Sequence, residues 1–270
     1  MATRLLEHGY QVRVWNRTRS KAEALKSAGA EVFPTPGEAV SGAGWIFVTL
    51  SDFSATETTL NQLGLAGKVL VQMATISPHQ SQVLAALVAR KGGDYLEAPV
   101  LGSIPEARSG RLIIMAGGPE ILFNRVEQTL GILGETPRLI GEVGQAAALK
   151  LALNQLIASL TVAFATSLAY VQGHEVKVDI FMDVLRQSAL YAPTFDKKLP
   201  RMQSREYSHP NFPTEHLIKD IGLFLQTADG IVSMPLRSMR ELYEKALSRH
   251  RFEDYSCVFE AVAKTENHQK

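Results

Sequence analysis

The 270-residue sequence predicts an α/β domain built on a doubly wound parallel sheet, followed by an all-helical domain. Two observations lead to this fold class. Short apolar runs of strand length alternate with helical segments up to about residue 140. A long segment rich in Ala and Leu then extends from Ala146 to about Gln172, and helical patterns continue to the end. We therefore predict two domains, residues 1–142 and residues 143–270.

Five apolar runs of the first domain are predicted to be strands. Their continuous apolarity is typical of strands that are buried on both faces of a parallel sheet. Repeated strand–helix units in one run imply right-handed crossover connections. The five runs are Gln11–Trp15, Trp45–Leu50, Lys68–Met73, Tyr95–Val100 and Leu112–Ala116.

Capping residues indicate where helices of the first domain begin. Thr35 offers a hydroxyl N-cap to a helix whose third position is Glu38. Ser77 precedes a proline and opens another helix. The sequence itself opens on a helical segment, Met1–His8, which Gly9 ends as a C-terminal cap.

The second domain is predicted to be helical throughout. Its first segment would be about 40 Å long at 1.5 Å per residue, which is long enough to extend through both domains. Later helical patterns are separated by the Tyr191–Pro193 and Ser208–Pro213 loops. These patterns cover Val178–Ser188, Leu217–Ala228 and Pro235–Leu247.

Composition limits the classes of function. A net charge of +1 gives no reason to expect a nucleic-acid partner. We find no apolar run of about 18 residues, so we expect no membrane span. The only cysteine, Cys257, is predicted to be a small buried residue of a reducing, cytoplasmic protein. The histidines lack the spacing of a metal site, so no metal is expected.

A cationic turn follows the first predicted strand. The six residues from Asn16 to Lys21 include three cations and no acid. At this place in a dinucleotide-binding fold, an acid suits the ribose hydroxyls of NAD, whereas Arg and small hydroxyls suit the 2′-phosphate of NADP. Arg17 offers a planar fork for phosphate oxygens. The turn favours NADP, with NAD left open; the alternative is a solvated turn in which Ser20 caps the next helix.

The glycine-rich turn that should accompany such a site is absent from the sequence. Residues 1–8 are helical, and neither Gly117–Gly118 nor the Gly141–Gly144 segment lies between a first strand and a first helix. We therefore expect the sheet to lack a strand between two neighbours. Weak pyrophosphate binding and association through unpaired strand edges would follow.

A lysine and an asparagine share one face of the long helical segment. Lys150 and Asn154 are four residues apart and project from the same side of a helix. Burial lowers the pKa of a lysine, which makes the side chain a usable proton donor or acceptor near neutral pH. The alternative is a lysine whose ammonium reaches solvent near a helix end.

Five short segments form an ordered set along the chain: Asn16–Thr18, Ala74–Pro78, Glu97–Ser103, Gly144–Asn154 and Lys219–Asp220. This set resembles the β-hydroxyacid dehydrogenases, which include 3-hydroxyisobutyrate dehydrogenases and glyoxylate/succinic semialdehyde reductases. The resemblance covers essentially the whole chain. It implies a Rossmann-like NADP-binding domain, a helical substrate and dimerisation domain, and a homodimer. The implied reaction interconverts a small β-hydroxyacid and its aldehyde or keto acid.

The resemblance also implies roles for individual residues. Lys150 would be the general acid/base, with Asn154 as a substrate ligand beside it. The backbone at Gly102 and Ser103 would approach the substrate carboxylate, and Leu101 would lie in the same pocket. The implied cofactor contacts are Asn16, Arg17, Thr18, Lys21, Leu50, Ser51, Thr75 and Lys219.

The sequence departs from the family pattern at several points. Leu101 stands where many members have Ser, which suggests a more apolar substrate pocket, and Ala146 stands where many have Gly. Related imine reductases generally lack the lysine, so Lys150 favours carbonyl chemistry. The missing glycine-rich turn favours a different function, that of a non-catalytic dimeric binding or scaffold protein. Retention of Lys150, Asn154, Thr75 and Lys219 favours the enzyme.

Overall fold

The computed structural model of the protein describes residues 1–231 and 233–263. The chain divides into two compact units, Met1–Lys150 and Leu151–Lys270. The division falls inside a single long helix, Gln145–Gly173, which begins in the first unit and continues in the second.

Unit 1 is an α/β unit with short strands. Its described residues form eight strands: β1 (Arg13–Val14), β2 (Glu31–Val32), β3 (Trp45–Val48), β4 (Val69–Gln72), β5 (Asp94–Glu97), β6 (Val100–Leu101), β7 (Ile113–Gly117) and β8 (Arg138–Gly141). The five predicted strands are present; four are shorter than their apolar runs, and β7 has the predicted length but begins one residue later. The sequence did not predict β2, β6 or β8 as separate strands, because two to four residues give too short a pattern.

Helices connect these strands, and their caps follow the predictions. Unit 1 contains α1 (Ala2–Glu7), α2 (Arg19–Glu23), α3 (Pro36–Ser41), α4 (Phe53–Asn61), α5 (Pro78–Arg90), α6 (Ile104–Ser109) and α7 (Glu120–Leu133). The Thr35 hydroxyl accepts the Glu38 N–H at 3.2 Å. Ser77 and Gln80 form a reciprocal capping box at the start of α5. Both N-cap predictions are confirmed.

The larger sheet is mixed, whereas a parallel sheet was predicted. Strands β3, β4 and β5 are parallel in register, but β7 is antiparallel to both β5 and β6 and parallel to β8. The predicted run Tyr95–Val100 breaks because Pro99 has no N–H to donate to a neighbouring strand. The chain therefore leaves β5 at Glu97 and pairs Val100 with Ile114 instead.

The sheet of unit 1 is in two pieces. Within the described residues, β1 pairs with β2 alone, and β3 is an edge strand of the larger sheet. A cavity of about 830 Å³ lies between the two pieces. Its lining includes residues 10–16 around β1 and 42–50 around β3, together with Met1 and Leu5. This arrangement agrees with the expectation that a strand is lacking between two neighbours.

Unit 2 is helical. It contains the larger part of α8 (Gln145–Gly173), then α9 (Val178–Gln187), α10 (Pro193–Ser204), α11 (Thr214–Thr227), α12 (Met234–His250) and α13 (Phe259–Val262). The sequence placed a loop at Tyr191–Pro193 and missed α10. Pro193 instead begins this helix, since its fixed φ suits the first helical turn. Cys257 is fully buried, and burial raises the pKa of its thiol to about 12.

Helix α8 corrects one expectation about membranes. It has 29 residues and contains an 18-residue window with a mean hydropathy of 1.5, of which 39% is buried. By length and composition it is therefore long and apolar enough to cross a membrane, contrary to the prediction that no such run exists. The core helix of a soluble protein meets the same two criteria.

Candidate active site

The turn after β1 exposes an arginine that has no partner in the described part of the chain. The side-chain Oδ1 of Asn16 accepts the Thr18 N–H at 2.8 Å, which shapes the turn. Thr18, rather than Ser20, occupies the N-cap position of α2. Arg19 is engaged with Glu23 at 3.0 Å. The guanidinium of Arg17 is thus exposed at the end of β1.

Some predicted cofactor contacts meet at the cavity between β1 and β3. Asn16, Lys21 and Leu50 all line it. Ser51 donates its hydroxyl proton to Asp52 Oδ2 at 2.8 Å, and Asp52 in turn caps α4. The other predicted contacts of unit 1, which lie outside this lining, are Arg17, Thr18, Ser51 and Thr75.

The segment after β5 has a backbone that requires glycine. Gly102 has φ +124°, and a Cβ there would lie 2.9 Å from Leu112 Cδ2. Ser103 donates its N–H to Glu106 Oε2 at 2.8 Å, at the start of α6. Leu101 is half-buried in β6 and pairs with Ile113.

Lys150 is buried near the start of α8, with 8% of its surface exposed. Asn154 follows one turn later on the same helix and is 2% exposed. In unit 2, Asn154 donates an amide proton from Nδ2 to Asp220 Oδ2 at 2.6 Å. Lys219 Nζ lies 2.8 Å from Asp220 Oδ1 as an ion pair. Asp220 therefore contacts both predicted site residues of unit 2.

Two roles are open to Asp220, to orient Lys219 or only to balance its charge. A carboxylate with 2% exposure that also holds Asn154 does more than balance a surface lysine. The adjacent lysine was the one sequence signal for it, because the contact with Asn154 spans 66 residues.

Glu97 is a second residue that sequence reasoning missed. Its Oε1 accepts backbone N–H groups from Gly144 at 2.8 Å, Ala146 at 2.9 Å and Ala147 at 3.2 Å. Its Oε2 accepts the hydroxyl proton of Ser81. Burial raises the pKa of the Glu97 carboxyl above its ordinary value, and these hydrogen bonds oppose the rise. The sequence showed Glu97 only as part of a family segment.

Comparison with known proteins agrees with this architecture. A family model described as the NAD binding domain of 6-phosphogluconate dehydrogenase matches residues 1–144. A second, described as NAD-binding of NADP-dependent 3-hydroxyisobutyrate dehydrogenase, matches residues 144–260. The fold and these matches define the class as nicotinamide-dependent oxidoreductases that act on CH–OH groups.

Individual relatives show which family of these oxidoreductases the chain belongs to. Glyoxylate/succinic semialdehyde reductase 1 of Arabidopsis thaliana is 34% identical, over 97% of this chain and 93% of that protein. A solved 3-hydroxyisobutyrate dehydrogenase of Mycobacterium tuberculosis with L-serine shares the fold, with a TM-score of 0.88, 21% identity and coverage of 97% and 94%. The cytokine-like nuclear factor N-PAC of Xenopus tropicalis is 29% identical over 97% of this chain but 50% of its own length. The chain belongs to the β-hydroxyacid dehydrogenase family.

Proposed function

We propose that the protein reduces a small carboxylate-bearing aldehyde or keto acid with NADPH, and that Lys150 is the general acid. Glyoxylate and succinic semialdehyde are the first substrates to consider, since the Arabidopsis relative is named for them. The observation that carries the proposal is the buried Lys150, one helical turn before the buried Asn154 on α8. Burial of a lysine ammonium carries a desolvation cost, and a lysine buried one helical turn from a buried asparagine is typical of a functional site.

Bound NADPH supplies the hydride that the carbonyl carbon receives. The Lys150 ammonium donates a proton to the carbonyl oxygen, and in the reverse direction the neutral amine takes it back. Asp220 holds the Asn154 amide in one orientation, so that Asn154 binds the substrate beside Lys150. The backbone at Gly102 and Ser103 is proposed to receive the carboxylate. Leu101 contributes an apolar wall to the same pocket.

Selection of NADPH over NADH is assigned to the turn after β1. The exposed Arg17 binds the 2′-phosphate, and Thr18 adds a hydroxyl. Two features support this assignment, namely the absence of an acid between Asn16 and Lys21 and the engagement of Arg19 with Glu23. Within unit 2, Lys219 is paired with Asp220.

We also propose that the protein is a homodimer through unit 2. Helix α8 exposes the apolar side chains of Leu156, Leu160 and Tyr170, which a partner would cover. Sedimentation velocity of the purified chain decides this point. A monomer at micromolar concentration would contradict it.

The experiment that tests the function is a panel of small aldehyde and keto acids, with NADPH consumption followed by absorbance. We expect turnover with at least one carboxylate-bearing aldehyde and none with the matching aldehyde that lacks a carboxylate. NADH should support slower turnover at equal concentration. Turnover that does not depend on the carboxylate would contradict the proposed substrate class.

The gap between β1 and β3 supports a second candidate, a dimeric scaffold without catalysis. It predicts that the purified chain binds neither NADPH nor NADH in titration calorimetry while remaining dimeric. Measurable NADPH binding together with turnover excludes it.

A further inference from the structure

Glu97, at the end of β5, connects the sheet of unit 1 to the start of α8. Its side chain is 2% exposed and accepts four hydrogen bonds, three from backbone amides at the start of α8 and one from Ser81. Ser81 has one hydroxyl proton, which it gives to Glu97. The Tyr95 hydroxyl, 2.8 Å away, therefore donates to Ser81. The carboxylate is held from one side by this chain of hydroxyls and from the other by backbone amides.

These amides are the ones that a helix start leaves without intrahelical partners. The first N–H groups of an α-helix have no carbonyl four residues earlier to donate to. In α8 the first intrahelical bond is Ala148 N–H to Gly144 C=O, at 2.9 Å. Gly144, Ala146 and Ala147 instead donate to a carboxylate that lies 47 to 50 residues earlier in the chain. A negative group at this end also opposes the positive end of the helix dipole.

Gly117 leaves the space through which the carboxylate reaches α8. It pairs with Glu97 across β5 and β7. A Cβ at position 117 would lie 2.4 Å from Glu97 Oε1 and 3.0 Å from the Glu142 carbonyl oxygen. Any residue other than glycine would therefore push the carboxylate off the amides.

The anchored amides lie directly before Lys150 in the helix. Ala146 is four residues earlier, so its position sets the helical turn on which Lys150 stands. We propose that Glu97 is a positioning residue: it fixes the first turn of α8 to β5 and thereby sets where the Lys150 ammonium lies in unit 1. This inference rests on the proposed role of Lys150. Glu97 itself need not touch substrate or cofactor.

Two substitutions separate hydrogen bonding from charge. Glu97→Gln keeps an acceptor oxygen for the three amides, and its NH₂ group can donate to Ser81, so the anchor is retained without the charge. Glu97→Ala removes all acceptors and leaves three buried N–H groups without partners. Gly117→Ala keeps Glu97 but displaces its carboxylate. Thr35→Ala is the matched control, since it removes the N-cap of α3, another helix of the same unit.

The first measurement does not depend on activity. Backbone amide hydrogen exchange at Gly144, Ala146 and Ala147 should speed up by at least about 10-fold in Glu97→Ala and Gly117→Ala, because these amides lose their acceptor. Glu97→Gln should exchange like the unmodified protein, and Thr35→Ala should leave this segment unchanged. Unchanged exchange in Glu97→Ala would overturn the anchor.

The second measurement concerns Lys150. We expect Glu97→Ala to lower kcat by on the order of 10- to 100-fold, because a small displacement of a reacting group costs that much. The KM for NADPH should change less than about 3-fold, and Glu97→Gln should restore most of kcat. Faster exchange with an unchanged kcat would refute the positioning role. If Lys150→Ala also left kcat unchanged, the proposed function would fail, while the exchange data would still decide whether Glu97 anchors α8.

Discussion

The two pieces of the sheet in unit 1 are built very differently. Strands β1 and β2 have two residues each, are only partly buried and pair with no other described strand. Strands β3, β4 and β5 have four residues each, and Val69–Val71 of β4 are at most 1% exposed. Arg17, which is proposed to bind the cofactor phosphate, therefore follows β1 of the weaker piece, which consists of β1 and β2. Glu97, which is proposed to anchor the helix of Lys150, ends β5 of the stronger piece, the larger sheet.

The facing edges of the two pieces explain the weakness. Val12 and Val14 give their carbonyls to β2, at 3.0 Å each, while Gly44 and Val48 give theirs to β4, at 2.9 Å each. Backbone groups of a strand alternate between its two edges. The groups of residues 13 and 15, and of residues 45 and 47, consequently point into the gap. Two edges that pair with no other described strand therefore face a cavity of about 830 Å³.

The largest expected effect concerns Lys150, whose helix is held to β5 of the stronger piece by Glu97. Lys150→Ala should lower kcat by at least about 100-fold, the lower range for a positioned acid or base. The fold should survive, because alanine is the residue most favourable to the interior of a helix. Steady-state kinetics and thermal unfolding measure the two effects. Lys245→Ala, which changes an exposed lysine in α12, is the control and should leave both unchanged. Near-normal kcat in Lys150→Ala would refute its role.

The next largest effect is expected on NADPH affinity when the gap beside the weaker piece is filled. A strand and a Gly-x-Gly-x-x-Gly-like turn joined ahead of Met1 should occupy the gap and pair with both edges. We expect NADPH affinity to rise by at least about 10-fold, because the turn adds backbone donors for the pyrophosphate. Association should decrease because the edges are no longer exposed. Titration calorimetry and light scattering test this.

The control for that extension has the same length and composition of apolar residues, with proline at alternate strand positions. Proline cannot donate to a neighbouring strand, so this version should not restore binding. Equal NADPH affinity in all three forms would show that the gap between β1 and β3 does not limit cofactor binding.

The same contrast explains what the sequence could and could not predict. Local signals identified the N-caps at Thr35 and Ser77, the course of α8 and the cationic turn at Arg17. The β-hydroxyacid dehydrogenase family was confirmed. The anchor at Glu97 and the Asn154–Asp220 contact join residues 47 to 66 positions apart, and no local pattern encodes such pairs. The antiparallel β7 was missed for the same reason.

A smaller effect is expected for cofactor choice. Arg17→Asp should remove or reverse the preference for NADPH over NADH, by on the order of 10-fold in the ratio of kcat/KM. The contact is solvent-exposed, so salt screens it and limits its strength. Arg19→Gln is the matched comparison, because Arg19 is already paired with Glu23 and should matter less. Equal affinity of the unmodified protein for both cofactors would mean that this turn does not bind a phosphate.

The smallest effect should appear at the edge of the stronger piece, where β6 pairs with β7 alone among the described strands. Leu101→Ser replaces an apolar wall with a hydroxyl that can satisfy a polar substrate group. We expect kcat/KM to shift toward shorter, more polar acids such as glyoxylate, relative to succinic semialdehyde, by on the order of 10-fold at most. Leu101→Ala separates the loss of size from the gain of a hydroxyl. Ile113→Ser changes the exposed pairing partner of Leu101 and controls for damage to the strand pair. A shift shared by all three variants would mean that β6 acts through its pairing with β7, and no shift in any of them would mean that Leu101 lies away from the substrate.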